Sequence, residues 1–463
     1  MALKNFKIND VTLTTKDGKD ISLLSGLFST FVIRENIFSP YMTAEIQITD
    51  ADGLFYNQTD TKSYINGGEK INIRVETENN ISGKIDTYET NNEFYVDTTT
   101  PIITKSNRQS GLLRLVTKEA IVNQLTRLGS RYDGTIEETI RKIILEDKTG
   151  LQTKKNYNKY LSQSDYKTIN KYSFIANLEK PFDVIRKLCP KAVPSSTKEK
   201  FNTAGYFFFE NFDGLYFVGI DTLLKGKLNE KNESLKSIYN KIETSKGEGI
   251  PYFRYVETVD DKIPSDLRIL NQPIVESKSD LINSLMSGMY GVNVTEFDSF
   301  TFERTETNLT LRDIYQSGLN HTEESRTSPD FPLFDGRKFS RRIYRIRSNH
   351  AYGVGTNLDD SLIDPKDISR YQAQSIVRSK LLFSQIVSIE VPLNFNLKVG
   401  QIIYCEMPNA TTGTTKEPDV DRFSGKYLIT ALCHDMSFNQ YNTRVGITKL
   451  QLVKDSYKDP KVK

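Results

Sequence analysis

The sequence predicts an α+β chain, mostly β, in which two similar antiparallel β-barrel domains enclose a helical and a mixed insert domain. Three observations carry this reading. Runs rich in β-branched and aromatic residues gather toward both ends of the chain and are bounded by Gly, Pro, Asn or Ser, as half-buried antiparallel strands are. Helical patterns fall mostly between them. The order of the strand runs in the last part of the chain parallels their order in the first. The chain divides accordingly into 1–115, a first β-barrel; 116–200, a helical insert; 201–365, a mixed α/β domain with a hairpin and polar loops; 366–454, a helix and a second β-barrel; and 455–463, a polar tail.

In the first domain the strands are Phe31-Val32-Ile33, Met42 to Ile48, Ile71 to Val75 and Phe94-Tyr95-Val96. Ile71, Ile73 and Val75 alternate with Asn72, Arg74 and Glu76, so one face is buried and the other wet. The series Met42 to Ile48, Gly68 to Ile73, Glu93 to Val96 and Leu112 to Val116 parallels Gln385 to Val391, Gly400 to Tyr404, Lys426 to Ile429 and Arg444 to Leu450. In both series a Gly and a polar residue open the second strand, and an aromatic residue sits inside the third. Gly68, Gly400 and Gly425 are therefore read as structural turns of the two barrels.

Between the barrels, Thr135 with Glu138 three residues on makes a capping box, and Ile136, Ile140, Ile143 and Ile144 share one face of the helix that follows, with Gly150 just beyond it. A second helix starts at Pro181, carries Phe182, Ile185, Leu188 and Cys189 on one side, and stops at Pro190. Cys189 is read as a core residue. Two aromatic runs, Tyr206 to Phe209 and Leu215 to Val218, flank a turn ending in Asp213-Gly214 and predict a β-hairpin. The polar segment from Lys225 to Gly249 reads as an exposed helix or loop. A helix from about Ser279 to Met289 and strands at Tyr290 to Val294 and Phe300 to Arg304 follow. The last helix, about Pro365 to Leu382, leads into the second barrel.

One charged cluster stands out: Arg337, Lys338, Arg341, Arg342, Arg345 and Arg347, interleaved with Phe339, Ile343, Tyr344 and Ile346. It reads either as a nucleic-acid patch, since Arg beside aromatics suits phosphate contact and base stacking, or as a strand with a solvated charged face paired to Asp359, Asp360 or Asp364. The charge balance elsewhere favours the second, with an acidic partner surface as its contact: 62 Lys plus Arg face 59 Asp plus Glu, a net charge of +3.

Little in the sequence points to chemistry. The mean hydropathy is −0.48, yet 25 Phe and 24 Tyr supply enough apolar area for a core. Cys189, Cys405 and Cys433 are far apart and never in CxxC spacing, so neither a disulfide framework nor a metal site is indicated. The three histidines, His321, His350 and His434, are scattered; His321 is followed by Thr322-Glu323-Glu324 and not by the spacing of a zinc peptidase, and His434 is read as a structural hydrogen-bonding residue. Asp50-Ala51-Asp52-Gly53 lacks the downstream Glu of a calcium loop. The adjacent pairs Asp260-Asp261 and Glu323-Glu324 point apart, unlike a glycosidase pair. No catalytic residue, cofactor site or metal site is assigned. No apolar run reaches the ~18 residues of a membrane span, so stable membrane insertion is not expected and synthesis in a reducing cytoplasm is.

Several segments in this order resemble the central baseplate hub proteins of contractile-tailed bacteriophages: Ser39 to Asp50, Arg127 to Gly134, Lys180 to Ile185, the Phe208 to Gly214 hairpin, Met286 to Gly291, Leu397 to Gln401, Ser424 to Ile429 and His434. Lys225 to Gly249 and the loop from Ala410 to Asp421 look like insertions. The resemblance implies a non-enzymatic homotrimer in the virion tail baseplate, assembled in the host cytoplasm. Each subunit would supply two similar tube-type barrels to a pseudo-sixfold ring around a DNA channel, joining a threefold spike to the tail tube or its initiator proteins. DNA would pass without sequence-specific contact. Other expectations for such a chain are a tail-associated peptidoglycan hydrolase or a host-surface-binding tail protein.

Overall fold

The computed structural model describes residues 5–23, 28–50, 65–79, 83–90, 94–103, 109–146, 148, 150–195, 204–240, 249–256, 264–277, 281–299, 302–311, 313, 326–327, 341–347, 365–407, 423–438 and 444–458. Its first module contains β1 (Phe6–Thr14), β2 (Asp20–Ser22), β3 (Phe28–Asn36), β4 (Thr43–Asp50), β5 (Lys70–Asn79), β6 (Lys84–Glu89), β7 (Phe94–Ile103) and β8 (Gln109–Thr117). These pair antiparallel in the order β3-β4-β8-β7-β5-β1-β2, with β6 on β5. Alternation sets which face is dry: Ile71, Ile73 and Val75 are buried and Arg74 is exposed, because successive strand residues point to opposite faces. The buried faces meet in one core around Phe31, Ile46, Ile73, Phe94 and Leu115.

The insert that follows is held mainly by helices and the short pair β9 (Arg131–Tyr132) and β10 (Phe174–Ile175). Helix Ile136–Arg141 begins with the capping box: Thr135 Oγ1 accepts from the Glu138 N–H at 3.3 Å, and Glu138 Oε2 accepts from the Thr135 N–H at 3.0 Å. The turn then widens into a π-helical stretch, Lys142–Glu146, and Ile136, Ile140, Ile143 and Ile144 are all buried. Helix Pro181–Leu188 buries Phe182, Ile185 and Leu188, with Cys189 buried beside them.

The hairpin of β11 (Tyr206–Asn211) and β12 (Gly214–Gly219) is buried at every residue of both strands. One face, with Phe207, Phe209, Tyr216 and Val218, packs into the core of the second module; the other, with Tyr206, Phe208, Leu215 and Phe217, packs into the insert core. That sandwiching explains the uninterrupted aromatic run: a strand wetted on neither face has no reason to alternate. The segment after it is less exposed than its composition suggests. Its described part forms helices Lys227–Glu230 and Glu233–Tyr239, which bury Leu228, Leu235, Ile238 and Tyr239.

The rest of the middle region splits. Strands β13 (Tyr252–Tyr255), β14 (Arg268–Ile269) and β15 (Ile274–Ser277) leave it to join the second module. Strands β16 (Gly291–Asp298), β17 (Arg304–Thr310) and β19 (Arg341–Arg347), with β18 (Arg326–Thr327) between the last two in sequence, continue it. β16, β17 and β19 form a separate sheet in which β19 runs parallel to β16. Helix Pro365–Leu381 covers one face of that sheet through Ala373, Val377 and Leu381. The second module itself consists of β20 (Gln385–Pro392), β21 (Ile402–Glu406), β22 (Gly425–Phe438) and β23 (Arg444–Lys454), and β24 (Tyr457–Lys458) pairs with β18.

The two modules are not two closed barrels. Both belong to one branched, 15-stranded sheet, mostly antiparallel, that is open. The cause is the 14-residue length of β22. Its first residues, Gly425 to Leu428, pair with β21, and its later ones, Ala431 to Ser437, pair with β3. β23 accompanies both halves. Leu393, Phe395 and Met436 of the C-terminal region thereby enter the first module's core. The linker into this region also fixes Gly400, whose φ is +90° and whose N–H donates to the Ile429 carbonyl at 3.0 Å. A Cβ there would lie 2.9 Å from both Leu228 and Phe209. We expect Gly400→Ala to cost about 2–4 kcal/mol, read as a lowered urea midpoint; an unchanged midpoint would contradict the packing described.

Candidate interaction surfaces and the charged junction behind them

Three parts of the chain meet at Glu35 on β3. Its carboxylate accepts from the Phe212 N–H at the hairpin tip at 2.9 Å and from the Val399 N–H of the second module at 3.0 Å. Burial pushes its carboxyl up to about 7, against the lowering effect of those two hydrogen bonds and of nearby Lys398. Next to it, Lys398 Nζ bonds Asp213 at 2.6 Å and sits 5.4 Å from the Phe212 ring centroid; Asp213 also receives Lys159 and Tyr160, each at 3.3 Å.

A second buried network lies one strand away. Glu210 accepts from the Met42 N–H at 3.1 Å and from Thr117 Oγ1 at 2.7 Å, and pairs with Lys155, which also holds Glu119 at 2.6 Å. Burial raises the Glu210 carboxyl; for Lys155 burial acts downward, but Glu210 and Glu119 outweigh it and hold the ammonium charged. A third network is deeper still. Arg378 on helix Pro365–Leu381, with a side chain 0% exposed, pairs with Asp221 at 3.1 Å and with Asp455 at 3.0 Å. In all three the ionic partners belong to different elements, so their work is to fix one element against another. Sequence patterns do not single out these residues. The one available signal is an acid directly after an apolar run, as Glu210 is after Phe207-Phe208-Phe209; Glu35, between Arg34 and Asn36, gives none.

The arginine-rich strand is divided by its pleat. Arg341 donates to the Ser287 carbonyl at 3.0 Å, and Arg345 pairs with buried Glu296 at 2.7 Å and with Gln372 of the covering helix. Both therefore point toward the helix-covered face with Ile343. Arg342 is exposed, together with Tyr344 and Ile346. The outer face thus presents apolar side chains more than charge, and exposed Phe302 stacks edge-on to Phe297 at 6.0 Å beside it. Arg347 ends the strand; Arg337 and Lys338 lie outside the described residues, as do Asp359, Asp360 and Asp364.

Gly68, with φ of +90°, donates its N–H to the Val96 carbonyl ahead of β5, and Gly425 opens β22 with φ of +138°. His434 is buried, with Nδ1 3.0 Å from Thr448 Oγ1 and its ring edge-on to Phe395; burial pushes it down to about 3. Cys189 and Cys405 are buried thiols, the first pushed up to about 12 by burial, and Cys433 is partly buried and also raised. His321, His350, Glu323-Glu324, Asp260-Asp261, Ala51 to Gly53 and the loop from Ala410 to Asp421 fall outside the described residues. Among the described residues no group of three or more His, Cys, Asp or Glu is placed to hold a metal, and no helix is long and apolar enough to cross a membrane.

No protein-family model matches the chain, and no curated protein matches its sequence. Solved structures do resemble it. The tail protein from Neisseria meningitidis MC58 superimposes over 97% of this chain and 97% of that one with a TM-score of 0.52 at 10% identity. The 43 kDa tail protein of prophage MuSo2 from Shewanella oneidensis covers 97% of this chain and 99% of its own, with a TM-score of 0.48 at 9% identity. The first of these shows a shared fold over nearly the full length of both chains.

The Glu35 junction has a predictable pH dependence. Its carboxyl stands near 7 in the folded chain against 4.5 as the ordinary value, so the folded state holds the extra proton and stability falls as pH rises through the window from about 4.5 to 7. The full effect is about 3 kcal/mol. In Glu35→Gln this component vanishes, although one of the two N–H donors then faces an amide NH2 and stability drops at every pH. The difference between the two proteins isolates Glu35 from His434, which both share. Urea midpoints measured from pH 5 to 7.5 should converge as pH rises; parallel profiles would refute the assignment.

Proposed function

We propose that this chain is a structural component of a phage tail, and specifically the central hub of a contractile-tail baseplate. In this reading a homotrimer joins a threefold spike to the tail tube or its initiator proteins and surrounds a passage for DNA, within a virion assembled in the host cytoplasm. The observation that carries it is the fusion of two β modules into one sheet through β22, in a fold shared along its length with the tail protein from Neisseria meningitidis. An adaptor must keep two tube-facing modules at a fixed spacing under load, and a continuous hydrogen-bonded sheet does that better than two barrels on a linker. The buried ion pairs support a structural role, since the carboxylates of Glu119, Asp221 and Asp213 hold separate elements together.

Static light scattering on the purified chain tests the assembly. The expected mass is three times the 52.9 kDa chain for the protein alone, and three chains plus the bound partners on mixing with its spike and tube proteins. A monomer that binds neither would sink the proposal.

The arginine strand gives a second test. Arg345→Glu would set a carboxylate against buried Glu296 and should cost about 3–5 kcal/mol of stability. Exposed Arg342→Glu should change stability by less than about 0.5 kcal/mol, and any loss of assembly it causes reports on a partner contact. Thermal melts and pull-down of the spike separate the two effects. Equal melts for both variants would show that Arg345 does not face inward.

A further inference from the structure

The helical insert carries a surface that the adaptor role leaves unassigned. Residues Ala176 to Glu179 form a tight turn closed by the Glu179 N–H on the Ala176 carbonyl at 2.9 Å. Its two central residues, Asn177 and Leu178, have φ of +43° and +61°. Asn tolerates the left-handed region, but for a bulky side chain it is a conformational cost. Leu178 does not recover that cost by burial: it is 67% exposed, lying over Gly129, where an added Cβ would come within 3.5 Å of its Cδ2. A turn built for stability alone would carry Gly or Asn at this position.

The neighbourhood has a distinct character. Leu125, 81% exposed, ends the helix Lys118–Leu125, whose Gln124 side chain receives Lys180 Nζ at 2.5 Å; Ile175, 68% exposed, lies on β10 just before the turn. Beside Leu178 is a shallow cleft of about 600 Å³ with Arg127, Lys180, Arg186 and Lys187 on its walls. Only two carboxylates, Glu179 and Asp183, accompany these four cations, and Glu179 is engaged by Lys187 at 2.7 Å. An apolar centre with a charged rim is the anatomy of a protein interface. Single-stranded nucleic acid would call for aromatic stacking platforms, and the exposed apolar groups here are aliphatic.

We propose that the Ala176 to Glu179 turn and its basic cleft dock an acidic surface of a different tail protein, with Leu178 as the apolar anchor. The proposal rests on the tail-protein reading above and adds a partner contact made by the insert, away from the β modules.

The test uses the full chain incorporated into assembled tail particles, with a photo-cross-linking residue at position 178 and two variants, Leu178→Gly and Arg127→Glu combined with Arg186→Glu. Leu178→Gly should melt at the same temperature or higher, because Gly removes the left-handed strain, yet incorporation should fall about tenfold or more. The double charge reversal should lower the melt only slightly, since both arginines are exposed although Arg127 also donates to the Gln124 and Thr126 carbonyls at 2.9 and 2.8 Å, and incorporation should fall as far as for Leu178→Gly. The cross-link should map to an Asp- and Glu-rich segment of another tail protein. Wild-type incorporation by both variants overturns the proposal and leaves the tail-protein reading standing. So does a cross-link to DNA, to a second copy of this chain, or to a segment without acidic excess. Absence of the wild-type chain from tail particles overturns both.

Discussion

Strand β22 changes its neighbour on one edge at Thr430. Before that residue the edge pairs with β21; after it, with β3; β23 runs along the opposite edge throughout, with its register shifting at the same place. Thr430 manages the change by offering its carbonyl to the Ile37 N–H at 2.9 Å and its hydroxyl to the Gln451 carbonyl at 3.2 Å. The register shift gives the strand the local bend that lets its two halves serve different cores. Without this exchange there would be two modules joined by a chain. With it, the hairpin β11–β12, the insert and the linker around Gly400 all have a single frame to pack on.

The charges inside the molecule follow from that frame. Where several elements converge on one sheet, backbone N–H groups such as those of Phe212 and Val399 end up buried away from any strand partner, and each must be satisfied or cost about 1–3 kcal/mol. Glu35 satisfies two at once. Its burial is offset only in part by neighbours that include Lys398, whose own charge is taken by Asp213. Arg378 does the equivalent for helix Pro365–Leu381, binding one carboxylate from the segment after the hairpin and one from the chain just beyond β23. Such pairs add little net stability over an apolar core, but removing one partner strands the other, at about 3–5 kcal/mol. They specify how the elements meet more than they strengthen the meeting.

Local features were the legible ones. The capping box at Thr135 and Glu138, the Pro181 helix start, the alternation of Ile71, Ile73 and Val75, and the hairpin around Asp213-Gly214 each depend on residues a few positions apart, and the structure shows each of them. What could not be read was long-range. Nothing in residues 425 to 438 announces that half the strand belongs with residues 30 to 36, so two separate barrels were the natural expectation. The arginine strand misled for a related reason. A run of charges every second or third residue looks solvated until its pleat is known, and here Arg341 and Arg345 turn inward to Ser287, Glu296 and Gln372. The left-handed Leu178 left no trace in pattern or propensity, because backbone conformation at a single turn residue is set by the two segments it joins.

The closing contacts of this architecture span almost the whole chain: the Glu35 to Val399 hydrogen bond joins residues 364 positions apart. During synthesis β3 emerges long before β22, the strand that covers its edge. For most of translation the first module would expose an unpaired, hydrophobic sheet edge, which is the surface most prone to pairing with another chain. Folding of the complete sheet must therefore wait until β22 has been made, or rely on a partner that shields β3. The same sharing that joins the two modules in one sheet makes the nascent form dependent on protection, and places the yield of assembled protein under kinetic control.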